Sequence, residues 1–470
     1  MSMTQRHLPA HRLSTMLGTR VDEQPAYAWL SDGIRHLVTN GRLLHGTMLP
    51  SERELVNALG LSRTTITRAY QELRERGFAE VRRGSGTRIR IPGGNVGGGA
   101  EPLIPSSTEV FRTPGIDLTC GAPLAPVGVA QYYERALDQL PGYIGGMGYY
   151  PLGLPILRET IANDYAIRGL PTDPEQIIVT AGALSAIPSI ARAILPPGAH
   201  VLVESPSYPN SVSSLRQHGS RLSTIPISPE GSDLAGIENM LARGNFQVML
   251  CLPDFHNPTG TLLDNEGRER WANSLTRHGV VGLIDETNAK LWLDEKPETL
   301  PMSAFSQNLI TIGSASKTYW GGLRMGWIRA PHKLVGAIHQ ARSTFDLGTP
   351  VLEQIVLTLL MSERAGLDEG TRTTLRQNRD WVFGELRSAV PEWKIRKPSG
   401  GMSLWCNLPL PRATVLSEQA KKSGLLLTPG SVFAVEDHGL ENWLRVPYAL
   451  GRNDLELAIS KLIESWKAIA

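Results

Sequence analysis

The sequence predicts a multidomain protein in which a small N-terminal α+β domain is joined by a flexible linker to a large α/β domain. Three observations carry this prediction. Two short helix patterns and a β-ribbon pattern precede residue 92, a stretch rich in glycine and proline follows, and apolar strand-like runs then alternate with amphipathic helices to the end. A chain of 470 residues is long enough to hold two or more such domains.

The charge distribution separates the two domains. The whole chain has a net charge of +2, but residues 26–92 contain 11 Arg, no Lys and 6 acidic residues, a net of +5, which leaves −3 for the remainder. A basic segment beside a mildly acidic body indicates that only the N-terminal part contacts an anionic polymer.

Cysteine usage and hydropathy narrow the class of protein. Three widely spaced cysteines, Cys120, Cys251 and Cys406, fit neither a disulfide framework nor a metal site, so we expect no metal and a cytoplasmic location. No signal-peptide core and no apolar run of membrane-spanning length is present, so we expect no membrane contact.

The first domain is predicted over residues 25–92, after a mobile N-terminal arm over residues 1–24 that shows little periodicity. Ser51 is a candidate N-cap, and Glu54 three residues later completes a capping box. Ser62 is the N-cap of the next helix, whose apolar face ends near residue 77. Apolar and polar residues alternate over residues 79–91, and glycines in the middle of this stretch favour a turn. The pattern predicts a two-stranded ribbon.

Two short helices with a tight connection predict a helix-turn-helix followed by a β-ribbon wing. Such a motif places its second helix in the major groove of DNA. There arginine can bind guanine through two hydrogen bonds, and threonine can contact phosphate or the methyl group of thymine. Arg83 and Arg88 would add basic charge to the wing, and Gly84 would let its backbone approach a groove. A three-helix protein-binding domain with a solvated basic face is the alternative interpretation. The candidate DNA-binding residues are Arg53, Arg63, Thr64, Thr65, Arg68, Arg82 and Gly86.

Three strings make this prediction more specific: LPSEREL at 49–55, LGLSRTTI at 59–66 and GSGT at 84–87. Together they resemble the winged helix-turn-helix of GntR-family bacterial transcription regulators. The resemblance implies double-stranded operator DNA as a partner. One departure is Thr67, which stands where many relatives carry a second arginine.

Residues 93–115 contain glycine clusters and prolines, which predicts a flexible linker. The large domain is predicted over 116–470, with a smaller α/β subdomain from about residue 371. Its alternation of strands and helices favours a largely parallel sheet. The predicted strands are Ile177–Val179, Val201–Val203, Gln247–Leu252, Val280–Ile284 and Leu309–Ile312.

The segment from Gly313 to Trp327 contains one lysine, Lys317, flanked by Ser314 and Ser316 and followed by Arg324. A lysine on a constrained segment can form an imine with an aldehyde cofactor, and hydroxyls with an arginine can hold a phosphate. The segment resembles the lysine motif of fold-type I enzymes that use pyridoxal phosphate (PLP), the aspartate aminotransferase superfamily. A surface loop with an ordinary lysine is the alternative.

This resemblance implies further cofactor-binding residues, each found here in the expected order. Asp285 would hold the pyridine nitrogen, Asn257 the ring hydroxyl, and Tyr208 the ring face. Ala183 and Leu184 would offer backbone N–H groups to the phosphate at a helix N-terminus, although many relatives carry Gln at position 184.

Arg445 would bind the carboxylate of an amino acid. Relatives also carry a tyrosine two or three residues after the aspartate, whereas Thr287 stands here. This departure weakens the case for efficient transamination more than the case for PLP binding.

A GntR-like head, a linker and an aminotransferase-like body resemble the MocR (GabR-like) subfamily of GntR regulators. The resemblance implies a homodimeric transcription regulator that senses PLP or a small amino compound. It also implies no catalytic role for the chain and a nucleoid-associated state on DNA. Two alternatives stay open: an active aminotransferase that carries a DNA-binding module, and a regulator whose pocket no longer binds PLP.

Overall fold

The computed structural model describes residues 8–18, 20, 24–39, 43, 46–82, 86–90, 115–123, 125, 128–229, 231–363, 366–436 and 438–469. The linker predicted over 93–115 lies outside these residues except for Gly115. In the N-terminal head the elements are α1 (Ala10–Leu17), α2 (Ala26–Thr39), α3 (Glu52–Leu59), α4 (Arg63–Glu75), β1 (Ala79–Arg82) and β2 (Gly86–Ile89).

The two helices of the helix-turn-helix, α3 and α4, begin at the two N-caps that the sequence predicted. Ser51 accepts the Glu54 N–H, and the Glu54 carboxylate accepts the Ser51 N–H at 2.7 Å, so the capping box is confirmed. Ser62 caps α4 by accepting from Thr65 N. Gly60 ends α3 in the left-handed region, φ 66°, which forms the tight turn.

The N-terminal segment differs from the expectation of a mobile arm. Residues 10–17 form helix α1, which contacts α2 and α3, and Leu13 is fully buried in the head's core. Short helices of this length are marginal alone, so packing rather than propensity stabilises α1. Because the helix depends on packing and its apolar residues show little periodicity, the sequence analysis did not predict it.

The large domain contains the helices α5 (Val129–Gln139), α6 (Pro141–Ile144), α7 (Pro155–Ile167), α8 (Ala183–Ile194), α9 (Pro209–Gln217), α10 (Leu234–Arg243), α11 (Asn265–Arg277), α12 (His332–Arg342), α13 (Val351–Glu363), α14 (Glu369–Ala389), α15 (Ala413–Lys422) and α16 (Arg452–Lys467). Its strands are β3 (Ile116–Asp117), β4 (Ile177–Thr180), β5 (His200–Ser205), β6 (Arg221–Ser228), β7 (Gly231–Ser232), β8 (Val248–Cys251), β9 (Val281–Asp285), β10 (Leu309–Ser314), β11 (Gly326–Arg329), β12 (Lys394–Ile395), β13 (Ser403–Asn407), β14 (Leu425–Leu426), β15 (Thr428–Pro429) and β16 (Trp443–Pro447).

The main sheet has the strand order β4-β11-β10-β9-β8-β5-β6-β7. Strands β6, β5, β8, β9 and β10 are parallel neighbours, while β11 is antiparallel to both β10 and β4. Val201 and Val203 pack into one core cluster and Leu202 into another, so both faces of β5 are covered. This explains the continuous apolar runs by which the five predicted strands, now confirmed, were found.

A second sheet, β12-β13-β16-β15, forms the small subdomain with α14, α15 and α16. The first strand of the large domain, β3, also joins this subdomain, since Ile116 and Asp117 pair in parallel with Leu425 and Leu426. Leu118 packs into the same core cluster. The chain therefore enters the large domain through the small subdomain.

Candidate functional site

The predicted cofactor and ligand residues all line one cavity of about 540 Å³ at the carboxyl ends of β8, β9 and β10. Side chains that follow neighbouring parallel strands meet at one edge of the sheet, which is where open α/β sheets bind ligands. Arg445 reaches the same cavity from β16 of the small subdomain. The residues brought together are Ala183, Leu184, Tyr208, Asn257, Asp285, Ser314, Ser316, Lys317, Arg324 and Arg445.

Lys317 follows β10 and points into this cavity. Its Nζ donates a hydrogen bond to the carbonyl oxygen of Gly121 at 2.5 Å. Burial lowers the pKa of Lys317, because the ammonium form loses its hydration. The amine is therefore easier to obtain in its neutral, nucleophilic form than that of an exposed lysine.

The other end of the cavity has the features of an anion site. Helix α8 begins at Ala183, and the first N–H groups of a helix have no partner inside it. Gly182 has φ 88°, and a Cβ added there would lie 2.8 Å from Arg324 Nη2. Arg324 is itself in the left-handed region, φ 51°. The guanidinium thus lies against the helix N-terminus, an arrangement that fits a phosphate group.

Between the two ends lie the groups suited to an aromatic ring. Asp285 ends β9 and is buried, and burial raises the pKa of its carboxyl. Its Oδ1 accepts the Thr287 N–H at 2.9 Å. Tyr208 stands at the N-cap of α9, where burial raises the pKa of its hydroxyl and favours the neutral ring. This donor and acceptor set fits the pyridine ring of PLP.

Arg445 is a buried cation, 4% exposed, on β16. Its Nη1 donates to Asn257 Oδ1 at 3.3 Å, its Nη2 donates to the Thr119 carbonyl, and its guanidinium lies 4.7 Å from the centre of the Phe433 ring. Its Nε has no partner among the described residues. Burial lowers the pKa of Arg445 to about 10, so the side chain remains charged at neutral pH.

Sequence reasoning missed the segment 119–122, whose carbonyl groups accept from Lys317 and Arg445. Any residue type can supply a backbone carbonyl as an acceptor, so residue types do not indicate this role. Within the stretch only Gly121 and Pro123, which favour turns, were informative. It also missed the buried pair of Glu204 and His256, 3.7 Å apart. Burial raises the pKa of Glu204 to about 8 and lowers that of His256 to about 3, so both are neutral at pH 7 and form no ion pair.

In the head, the candidate DNA-binding residues lie mostly on the exposed side of α4. Arg63 is 82% exposed and its Nε lies 3.4 Å from Glu52 Oε2. The side chain of Arg68 covers the ring of Tyr27 at 3.7 Å. Arg53 is exposed on the first turn of α3.

The remaining candidates lie at the helix cap and on the ribbon. Thr64 and Thr65 place their hydroxyls 2.8 Å from Ser62 Oγ at the cap of α4. Arg82 ends β1 and pairs with Gly86, φ 80°, across the ribbon. Residues 83–85, which include Arg83 and Gly84, lie outside the described residues.

Arg88 differs from the expectation of a free basic wing residue. It donates to the Gly46 carbonyl at 3.0 Å and is half-buried. Strand alternation turns its side chain toward the connection before α3, which it contacts.

The described residues form neither a membrane-spanning helix nor a metal-binding cluster. Those residues contain no helix that is both long and apolar enough to cross a membrane. They also contain no group of three or more His, Cys, Asp or Glu side chains arranged to hold a metal ion.

Two family models match the chain. Residues 146–462, more than half of the chain, match aminotransferase class I and II, and residues 26–89 match the GntR family of bacterial regulatory proteins. The N-terminal match covers the helix-turn-helix and the ribbon, and the larger match covers most of the cavity described above.

Individual proteins match in the same two ways. The uncharacterized HTH-type transcriptional regulator YisV of Bacillus subtilis is 26% identical, over 96% of this chain and 98% of its own. The 2-aminoadipate transaminase of Thermus thermophilus is 30% identical over 68% of this chain and 80% of its own. The crystal structure of LysN, an α-aminoadipate aminotransferase of Thermus thermophilus complexed with N-(5'-phosphopyridoxyl)-L-leucine, has a TM-score of 0.69 and 28% identity, and the match covers 79% of this chain and 96% of that one.

The large domain thus has the fold-type I aminotransferase fold, and the GntR-type head precedes it as in MocR-like regulators. The chain belongs to the aminotransferase class I and II family, with a GntR-family domain at its N-terminus.

Proposed function

We propose that this protein is a bacterial transcription regulator that binds operator DNA through its head and senses PLP or a small amino compound through its large domain. The observation that carries the proposal is the combination, in one chain, of a GntR-type helix-turn-helix and a cavity lined by Lys317 and the other candidate cofactor-binding side chains. In such a combination, binding of a ligand in the cavity can change the affinity of the head for DNA.

Pyridoxal phosphate is the cofactor of the large domain, and the cavity fits it. When bound, PLP supplies an aldehyde that reacts reversibly with primary amines. Lys317 would bond to it, and Asp285 would keep its ring nitrogen protonated. Arg324, Ser314, Ser316 and the N–H groups of Ala183 and Leu184 would hold its phosphate. Tyr208 and Asn257 would fix its ring, and Arg445 would hold the carboxylate of an amino compound.

For the head, we propose that α4 enters the major groove and the β1–β2 ribbon forms the wing. Arg63, Thr64, Thr65 and Arg68 would contact base edges or phosphates from α4, Arg53 from α3, and Arg82 and Gly86 from the ribbon. The protein would act in the cytoplasm and associate with the nucleoid when bound to DNA.

We further propose a homodimer. Several large apolar side chains near residues 144–149 and 345–347 are exposed, including Met147 at 91% and Phe345 at 53%. The two segments are neighbours, since a Cβ added at Gly348 would lie 2.8 Å from the Tyr150 carbonyl oxygen. An exposed apolar surface of this kind favours contact with a second copy.

The proposal is tested with full-length protein. Duplexes are first selected from a random library, and the affinity for them is then measured with and without PLP. We expect PLP to change the affinity of the parent protein and of Lys333→Ala, an exposed lysine on α12. Lys317→Ala should bind DNA without responding to PLP. An unchanged response in Lys317→Ala would show that this lysine is not the sensor.

The similarity to a transaminase supports the alternative that this protein is an active aminotransferase. The chain is 30% identical to a protein named 2-aminoadipate transaminase, and its cavity is lined by all the residues proposed to bind PLP. Against efficient turnover stands Thr287, where relatives have the tyrosine that adjusts proton transfer. Steady consumption of an amino acid with a 2-oxo acid acceptor would favour the enzyme, and single-turnover exchange coupled to DNA affinity would favour the regulator.

A further inference from the structure

We propose that Tyr27 positions Arg68 to bind a phosphate of the DNA backbone, so that Arg68 adds affinity without sequence preference. The inference rests on the proposed function, because it assumes that the head binds double-stranded DNA through α4. It goes further in two respects. It assigns the kind of contact that Arg68 makes, and it adds Tyr27, on a different helix, to the residues that determine DNA affinity.

The contact between the two side chains joins α4 to the start of α2. Arg68 lies in the second turn of α4, and Tyr27 is the second residue of α2. The guanidinium carbon of Arg68 lies 3.7 Å from the centre of the Tyr27 ring, which places the cation directly over the ring face. The electron-rich face of the ring attracts a cation in this position, and a stacked guanidinium keeps the N–H groups at its edge free to donate.

The two side chains differ in how firmly the head holds them. Tyr27 is half-buried and packs against the core of the head, whereas Arg68 is exposed. Glu72, the carboxylate one turn further along α4, contacts Arg76 at 2.5 Å. Within the described part of the head, the charge of Arg68 is therefore held by an uncharged ring and stays available to an anion. Because the ring restricts the rotamers of the arginine, less conformational freedom is lost when that anion binds.

The place of Arg68 on α4 favours a phosphate over a base edge. An α-helix turns by about 100° and rises by about 1.5 Å per residue, so Arg68 stands about 140° around the helix from Arg63 and about 7.5 Å further along it. Arg63 lies on the side that faces Glu52 of α3, whereas Arg68 faces the start of α2. A guanidinium held against a ring at the flank of the helix reaches the floor of the major groove only by leaving that ring. The DNA backbone forms the wall of the groove, and its phosphates accept hydrogen bonds from arginine whatever the sequence.

A cleft of about 630 Å³ lies between Tyr27 and α4 beside this pair. Thr64, in the first turn of α4, lines the cleft together with Tyr27 and Arg68, so Arg68 opens onto the same surface as the proposed recognition residues. Glu72 and Glu75 line it further along the helix. The charge of the cleft therefore changes from basic to acidic along α4. A phosphate is attracted beside Arg68 and repelled toward the end of the helix.

The test measures DNA binding of the full-length protein at one fixed PLP concentration. Fluorescence anisotropy gives the affinity for the selected duplex and for a duplex of random sequence between about 50 and about 200 mM salt. Arg68→Gln should weaken both duplexes by the same factor, about tenfold, because one charge-assisted hydrogen bond is lost. It should also reduce the slope of log affinity against log salt by about one, since one phosphate is no longer neutralised.

Substitutions of Tyr27 test its positioning role. Tyr27→Leu removes the ring face, keeps an apolar side chain against the core, and should weaken both duplexes about two- to fivefold. Tyr27→Phe keeps the ring face and should restore most of this loss. The double variant Tyr27→Leu with Arg68→Gln should bind no more weakly than Arg68→Gln alone, because the ring acts through the arginine. Thermal unfolding of each variant checks that the protein remains folded.

Arg68→Lys tests the stacking without any change in the core. It keeps the charge but not the planar guanidinium that stacks on the ring, so it should lose about as much affinity as Tyr27→Leu. Arg74→Gln is the matched control for charge. Arg74 is also an exposed arginine of α4, but it lies in the last turn of the helix. Its loss should add to the effect of Tyr27→Leu, since the two residues act independently.

Three results would overturn the inference. If Arg68→Gln weakens only the selected duplex and relaxes the preference at one base pair, Arg68 reads a base. Additive effects of Tyr27→Leu and Arg68→Gln would show that the ring does not act through the arginine. An equal loss in Tyr27→Phe and Tyr27→Leu would assign the effect to the hydroxyl.

Failure of the inference differs from failure of the proposed function. If the parent protein binds DNA and Arg68→Gln binds both duplexes as tightly, only the inference is wrong. If the parent protein binds neither duplex, the proposed DNA-binding function is wrong, and the inference with it.

Discussion

The hydroxyl of Thr67 on α4 lies 2.9 Å from Glu52 Oε2 on α3. The same carboxylate oxygen lies 3.4 Å from Arg63 Nε. One acidic side chain thus contacts two residues of the proposed recognition helix that are one turn apart. An arginine held in this way loses less conformational freedom when it contacts a base.

Glu52→Gln should therefore change specificity and affinity in opposite directions. Removal of a negative charge near DNA should raise the affinity for random duplexes, while looser positioning of Arg63 should lower the ratio of selected to random binding. Fluorescence anisotropy on both duplexes measures this ratio. Glu75→Gln removes the same charge from the far end of α4 and should leave the ratio unchanged. A parallel rise on both duplexes would assign Glu52 only an electrostatic effect.

Arg63→Ala should weaken binding to the selected duplex by about 1–3 kcal/mol if the guanidinium reads a base with two hydrogen bonds. The side chain is 82% exposed, so its loss should not affect folding. Competition with single-base variants of the duplex identifies the base that is no longer discriminated. Equal weakening on all sequences would make Arg63 a phosphate contact.

Gly182→Ala should lower the affinity for PLP by about tenfold or more, because the new Cβ displaces Arg324 and a charge-assisted hydrogen bond is lost. Gly198→Ala is the matched control, since Gly198 also has positive φ but no atom lies within 4 Å of the added Cβ. The control should cost only about 1–2 kcal/mol of stability from backbone strain. Titration of the apo-protein with PLP, together with thermal unfolding, separates the two effects.

The free energy of unfolding should fall as the pH rises through the pKa of Glu204. Burial raises this pKa from 4.5 to about 8, so the folded protein binds a proton that the unfolded chain releases. The associated stability is present in full below about pH 4.5 and is lost as the pH rises through about 8. Glu204→Gln, which resembles the protonated carboxyl, should flatten this slope in unfolding curves measured from about pH 5 to about pH 9. A slope equal to that of the parent would assign the proton to another group.

The features of the fold that depend on interactions between residues close in sequence could be predicted from the sequence. The caps at Ser51 and Ser62 and the five buried strands are confirmed, because side-chain capping and apolar runs are local signals. Helix α1 and strand β3 were missed, since both depend on packing or pairing with distant residues.

The same distinction applies to the site. Lys317 was found from its motif, and Asp285 and Arg445 were found from the resemblance to fold-type I PLP enzymes; the structure places all three in one cavity, although their roles stay predictions. The neutral pair of Glu204 and His256 and the backbone acceptors at Thr119 and Gly121 arise from burial and chain path. Residue type alone carries no information about either. Arg88 shows the converse, because its residue type predicted only basic charge on the wing, whereas in the structure it donates a hydrogen bond to the Gly46 carbonyl.

The pairing of β3 with β14 determines which half of the large domain the head is anchored to. The chain that leaves the head after residue 90 is fixed at Ile116–Asp117 to the small subdomain, and Thr119, two residues later, accepts from Arg445. The point at which the chain from the head enters the large domain and the proposed carboxylate-binding arginine therefore both lie on the small subdomain. Any rotation of the small subdomain relative to the main sheet would therefore move Ile116–Asp117 together with Arg445.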